Sequence, residues 1–95
     1  MTMNAPMKNS PLTATDITAV FSLANKMQPK AQWGPLRRFT SRMMDGFVVL
    51  DPHSSGALYM IARDRSGQYV AQDDTGRNLA TGNTIDDVLT PWRFD

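Results

Sequence analysis

Apolar residues follow two different periods along this chain. Between residues 46 and 80 they come in short runs divided by turn signals. Residues 47–50 and 57–62 are rich in aromatic and β-branched side chains, and residues 68–72 alternate, placing Tyr69 and Ala71 on one face and Val70 on the other. Runs of this composition and alternation predict strands. Three segments separate or follow them: Asp51-Pro52-His53-Ser54-Ser55-Gly56, Asp64-Arg65-Ser66-Gly67 and Asp73-Asp74-Thr75-Gly76, each opening on Asp and closing on Gly. An Asp side chain accepts from the backbone just ahead of it and Gly accommodates positive φ, so each segment predicts a chain reversal. A spacing of roughly ten residues from turn to turn leaves no room for crossover helices, which predicts an antiparallel meander. Residues 77–80 supply a fourth short strand.

The flanks of this block have a helical period. Thr13 with Asp16 three residues on has the spacing of a capping box, and Leu12 with Ile17 occupies the two positions of a hydrophobic staple. Ile17, Val20, Phe21, Ala24 and Met27 then recur as one stripe, with Thr18, Ser22, Asn25 and Lys26 off it, until Gln28-Pro29 ends the helix. The stripe is expected to pack on the sheet. Thr84 and Asp87 repeat the cap spacing ahead of a short last helix carrying Ile85, Val88 and Leu89 and stopped by Pro91. Trp92 and Phe94 so close to the chain end are expected to dock on the domain or on a neighbour, because large aromatics rarely stay in water.

Residues 35–44 fit both periods. As a helix they would have Pro35 in the first position and Leu36, Phe39 and Met43 in a stripe, closed by Asp45-Gly46. As a strand they alternate Phe39, Ser41 and Met43 with Arg38, Thr40 and Arg42, and Asp45-Gly46 is a strong hairpin signal. The helix is favoured, since Gly34-Pro35 opens helices well and the strand's inner face would be poor in apolar residues. The predicted architecture is therefore α+β: an N-terminal helix, a possible second one, an antiparallel meander of three to five strands and a short C-terminal helix. Residues 1–11, with two prolines and no period, are expected to be a disordered and dispensable tail, and residues 12–95 a single domain.

Composition narrows the classes. Ninety-five residues suit one domain with a modest core, and the absence of Cys removes disulfides, thiolate catalysis and cysteine metal sites. Without Cys a small secreted scaffold is not expected and the cytoplasm is the expected compartment; the longest apolar run is residues 57–62, and no signal peptide or membrane span is expected. The net charge of +1 hides an asymmetry. Lys8, Lys26, Lys30, Arg37, Arg38 and Arg42 oppose only Asp16 and Asp45 in the first half, whereas Arg63, Arg65, Arg77 and Arg93 face seven Asp in the second. Every acid is Asp, a residue of caps and turns.

Little in the chain suggests catalysis. His53 shares one flexible loop with Asp51, Ser54 and Ser55, whereas catalytic triads converge from separate elements. Asp73-Asp74 and Asp86-Asp87 lack the spacing of a calcium loop, and no Gly pattern fits a phosphate loop, so neither metal nor cofactor is expected. The basic segment carries more. On a helix, Arg38 and Arg42 would lie four apart beside Arg37 and Ser41, a like-charge arrangement costing roughly 0.2–0.5 kcal/mol without an acidic partner. That partner could be phosphate, with Trp33 and Phe39 stacking on bases and Lys26 and Lys30 extending the patch, or the domain's own Asp-rich turns, or another protein. Trp with Arg is the combination enriched at protein interfaces. Moreover, residues 47–50 are apolar on both faces, so the sheet centre needs cover on both sides and a second chain, identical or different, is expected to complete it. These features together favour a small non-enzymatic protein-binding module, an adaptor, regulator or inhibitor, homodimeric or bound to another protein, with no membrane role. Its contact residues would be Lys30, Trp33, Arg37, Arg38, Phe39, Arg42, Trp92 and Phe94. The alternative is a small nucleic-acid-binding protein using residues 26–42.

Overall fold

Thr13 takes extended backbone, and its Oγ1 accepts the Asp16 N–H at 3.1 Å while Asp16 Oδ2 accepts the Thr13 N–H at 3.0 Å. This reciprocal cap starts α1 (Ala14–Met27) in the computed structural model, which describes residues 12–93. The expectations for residues 1–11 and for Phe94 fall outside the described residues. Thr84 and Asp87 make the same pair of bonds, each 3.2 Å, at the start of α2 (Ile85–Leu89), and a single 3-10 turn (Thr90–Trp92) follows it. Between the helices lie five strands, β1 (Leu36–Thr40), β2 (Met44–Leu50), β3 (Ala57–Asp64), β4 (Tyr69–Asp73) and β5 (Asn78–Gly82). They pair in sequence order and all antiparallel, so the molecule is an α+β fold built on one five-stranded meander.

The turns after β3 and β4 are near copies. Asp64 Oδ1 accepts from the N–H groups of Ser66 and Gln68 at 2.9 and 3.0 Å, and Asp73 Oδ1 accepts from those of Thr75 and Arg77 at 2.9 and 3.0 Å. Gly67 and Gly76, at φ +97° and +88°, close the two turns in the conformation that glycine adopts without strain. The bonds to Thr75 and then Arg77 hold the Asp73 carboxyl at about 2, below the usual carboxylate range. The loop at residues 51–56 closes differently, through the Asp51 N–H donating to the Gly56 carbonyl at 2.8 Å, and its glycine is not at positive φ.

Strand register divides the side chains between two faces. Phe47 lies opposite Arg38 and Ile61, Ile61 opposite Ala71, and Val49 opposite Tyr59. These positions face α1 and α2, whose Val20, Leu23, Met27, Val88 and Leu89 complete one core with them. The core is tied by a buried polar bond, the Tyr69 hydroxyl donating to Asp16 Oδ2 at 2.6 Å. One carboxylate thus caps α1 through Thr13 and anchors it to β4. Among the described residues, no helix is long and apolar enough to cross a membrane.

Three expectations are corrected. Residues 35–44 do not form a helix: β1 runs from Leu36 to Thr40, and the chain reverses at residues 41–43, where Ser41 Oγ accepts the Met43 and Met44 N–H groups at 3.2 and 3.1 Å. Asp45-Gly46 is not the turn either but lies inside β2, opposite Thr40 and Phe39. A one-sided apolar stripe was too weak a signal here, because β1 is an edge strand whose pairing with β2 supplies what its composition lacks. The stripe of α1 keeps Val20, Ala24 and Met27 buried as expected but differs at one place, with Leu23 buried (3% exposed) and Phe21 at the rim (48%), its ring edge-on to Phe47 at 5.4 Å.

Burial first, then the bond to Asp16 and its charge, push the Tyr69 hydroxyl up to about 12, opposed by the Arg63 guanidinium 4.7 Å above the ring. The fold therefore favours the neutral phenol. Its contribution to stability should be complete below about pH 10, the unfolded value, and be lost as pH rises through about 12. Denaturant midpoints measured across this window should show the loss in the wild type, and Tyr69→Phe should remove that dependence while costing about 1–2 kcal/mol at neutral pH.

Candidate functional site on the open face of the sheet

Both helices lie on the same face of the meander, so among the described residues no element covers the other. The side chains there fall into rows set by the register. Arg37, Val48, Met60 and Gln72 form one row from β1 to β4, and Phe39, Gly46, Ala62, Val70 and Thr81 form the next, reaching β5. Phe39, Val48, Met60 and Val70 are only half-buried. Where the face is low, it is low for a steric reason: a Cβ on Gly46 would stand 2.3 Å from the Ile61 carbonyl oxygen and 2.6 Å from the Ala62 Cβ. Phe39 stands directly opposite Gly46, the arrangement in which an aromatic ring shields a glycine. A 320 Å³ trough crosses this face, lined by Phe39, Val48, Ala57, Met60 and Gln72 and bounded by Asp73 and Asp74.

The residues expected to act together are distributed over three places. Arg37 and Phe39 alternate onto the open face, while Arg38 points to the helix side. There Arg38 donates to both oxygens of Asp45, Nη2 reaching them at 2.8 and 2.7 Å, and its guanidinium carbon lies 5.3 Å over the Phe47 ring. Asp45 is 0% exposed and also accepts from the Thr40 hydroxyl at 3.2 Å. The domain's own acid is thus the partner of Arg38, though it comes from the neighbouring strand and not from a turn. Arg42 sits in the β1–β2 turn, exposed, with its carbonyl accepting from Arg65 Nε.

Lys30 and Trp92 meet at the other end of the molecule, in a 460 Å³ recess that Lys26, Met27, Gln32 and Arg93 also line. Arg93 is held there by Asp86 at 2.6 Å. Trp92 packs edge-on against Trp33 at 5.3 Å and Tyr59 at 5.0 Å, so it docks on its own domain as expected for the aromatic tail. Trp33 belongs to the core, 1% exposed, and its Nε1 has no hydrogen-bond partner among the described residues. A buried loop tryptophan offers no contact surface, and what buries it is the chain end, some sixty residues on in sequence, beyond the reach of any local pattern. Val48, Met60 and Val70 were not singled out from sequence as contact residues, although the two-sided apolarity of residues 47–50 signalled that face.

The acidic and hydroxyl groups that suggested chemistry serve the backbone. Asp51 accepts the His53 N–H at 2.7 Å in its loop, Asp87 caps α2, and the described residues contain no group of three metal-ligating side chains. Comparison with protein-family models, curated proteins and solved structures finds no match to this chain.

The two arginines that a helix would have placed together should behave differently. Arg38→Leu takes the guanidinium away from a buried carboxylate and is expected to cost about 2–3 kcal/mol, whereas Arg42→Leu, at an exposed turn, should stay within about 0.5 kcal/mol in urea unfolding.

Proposed function

We propose that this protein works by binding another polypeptide through the open face of its sheet, as a non-enzymatic adaptor, regulator or inhibitor in the cytoplasm. One observation supports the reading: a sheet with apolar residues on both faces has helices on only one, leaving Phe39, Val48, Met60 and Val70 partly in contact with water. Contiguous apolar surface rimmed by polar side chains is characteristic of interaction sites, and Arg37 and Gln72 form such a rim at the two ends of the central row. The backbone cost of binding is small, because Val48, Met60 and Val70 stand on strands already fixed by their ladder on both sides.

Nucleic-acid binding has less support than the sequence suggested. It depended on Arg37, Arg38 and Arg42 sharing one helical surface, and strand geometry instead sends Arg37 and Arg38 to opposite faces, with Arg38 engaged by Asp45.

Purification at moderate salt of the full chain and of a Val48→Lys, Met60→Lys variant tests the proposal, with circular dichroism as the check on folding. A polypeptide associated with the wild type, a second copy of the chain included, should be lost from the variant and survive nuclease. Association that ignores both substitutions and disappears with nuclease would transfer the function to the basic residues.

A further inference from the structure

We propose that the recess at the C-terminal end of α1 is a second binding site, separate from the open face, for a small organic acid: a flat apolar body carrying one carboxylate. The first argument is the lining. Leu23 and Met27 of α1, both buried, and the half-buried Trp92 give the 460 Å³ recess an apolar floor. Lys26, Lys30 and Gln32, all exposed, stand around it. Its volume lies in the range of small-molecule sites, roughly 300–1,000 Å³, and is too small to admit a helix or a hairpin. A 220 Å³ compartment shares Met27, Gln32 and Trp92 with the recess and adds Tyr59. Aromatic rings thus line that side, which suits a flat ligand.

The second argument is charge. Lys26 and Lys30 make no ion pair among the described residues, whereas Arg38, Arg77 and Arg93 each have a carboxylate. Arg93, which also lines the recess, gives Nη1 to Asp86 at 2.6 Å. The two lysines are therefore the uncompensated charge of this cavity. Two cations beside an apolar floor favour an anion whose remainder is apolar. A compact inorganic anion would use the lysines and leave the floor in water, and a neutral apolar molecule would do the reverse.

The third argument is pre-organisation. After α1 the chain turns back, the Ala31 N–H donating to the Gln28 carbonyl at 3.0 Å and the Gln32 N–H to the Met27 carbonyl at 3.1 Å. These bonds satisfy carbonyls that a helix end leaves open, so the lysine ammonium groups are not needed for them. Ala31 sits at φ +57°, in the left-handed region that a residue with a Cβ enters at a cost. Gln28 Nε2 holds the far side of the turn by donating to the Gly34 carbonyl at 3.0 Å. The backbone on either side of Ala31, which carries Lys30 and Gln32, is thereby fixed at the mouth, and binding has little of it left to order.

Trp33 and Trp92 are the chain's two tryptophans and meet edge-on at 5.3 Å, so intrinsic fluorescence reports on this region. Titration of the full chain with hydrocinnamate, against its neutral amide and against acetate, tests the proposal. The acid should give a saturable change at submillimolar concentration that weakens with added salt, and the amide and acetate should each bind about tenfold more weakly or worse. Lys26→Gln with Lys30→Gln, at two exposed positions, should lower the affinity for the acid about tenfold or more and leave the circular dichroism unchanged. In NMR spectra of labelled methionine methyl groups, the Met27 signal should shift along the titration while that of Met60, on the open face, stays. Failure to saturate, equal affinity for acid and amide, indifference to the lysine substitutions, or movement of Met60 in place of Met27 overturns the proposal. So does binding that appears only after removal of Phe94 and Asp95, which would make the chain's own end the occupant of the recess.

Discussion

Every connection between consecutive strands of the meander is too short to hold a helix, and this constraint determines what the molecule can cover. Cover for a sheet so connected must come from the flanks of the chain, and here α1 precedes the first strand and α2 follows the last. Both are drawn to one face. α1 is fixed there by the Tyr69 hydroxyl on Asp16, and the segment after α2 by Trp92 against Trp33 and Tyr59. Two helices of fourteen and five residues then build one well-filled core, with Val20, Val49, Val88 and Leu89 at 0% exposure, and among the described residues nothing comparable forms behind the sheet. The open face is therefore a product of topology as much as of composition.

The first hairpin shows how a polar pair can do what apolar residues do elsewhere. Arg38 and Asp45 are diagonal neighbours two residues off direct opposition across β1 and β2, and with Thr40 they close a small polar cluster on the helix side. A shift of one residue would move Asp45 away from its guanidinium partner and bring Gly46, which has no room for a side chain, out of line with Phe39. The pair thus specifies register in a strand, β1, two of whose five residues are basic. Edge strands that carry charge also resist pairing with other chains along their length, which leaves the open face as the adhesive part of the sheet.

What the sequence discloses follows the range of the interaction involved. Thr13 with Asp16, Thr84 with Asp87, and the Asp-to-Gly turns at residues 64–67 and 73–76 are satisfied within a few residues, and all four were legible. Residues 35–44 were not. Leu36, Phe39 and Met43 fit a helical period, and only the partners on β2, Asp45 under Arg38 and Gly46 beside Phe39, select the strand. One place in the α1 stripe was misassigned for the same reason, since Leu23 or Phe21 could equally have been buried until the sheet chose. Of the contact residues expected, Arg37 and Phe39 reach the open face, whereas Trp33 is claimed by the core through a residue from the chain end.

The order in which these pieces come together has its own consequence. Each of the four hairpins closes a loop of a few residues, so the meander is assembled from contacts of short sequence separation, which form early. The core is not so built: Val88 and Leu89 must meet α1 across nearly the whole chain. During synthesis the five strands leave the ribosome before Ile85–Leu89 and Trp92, so a nascent meander spends that interval with its helix-side core unfinished as well as its open face bare. Arrival of Ile85–Leu89 and Trp92 completes the cover that α1 begins on the helix side.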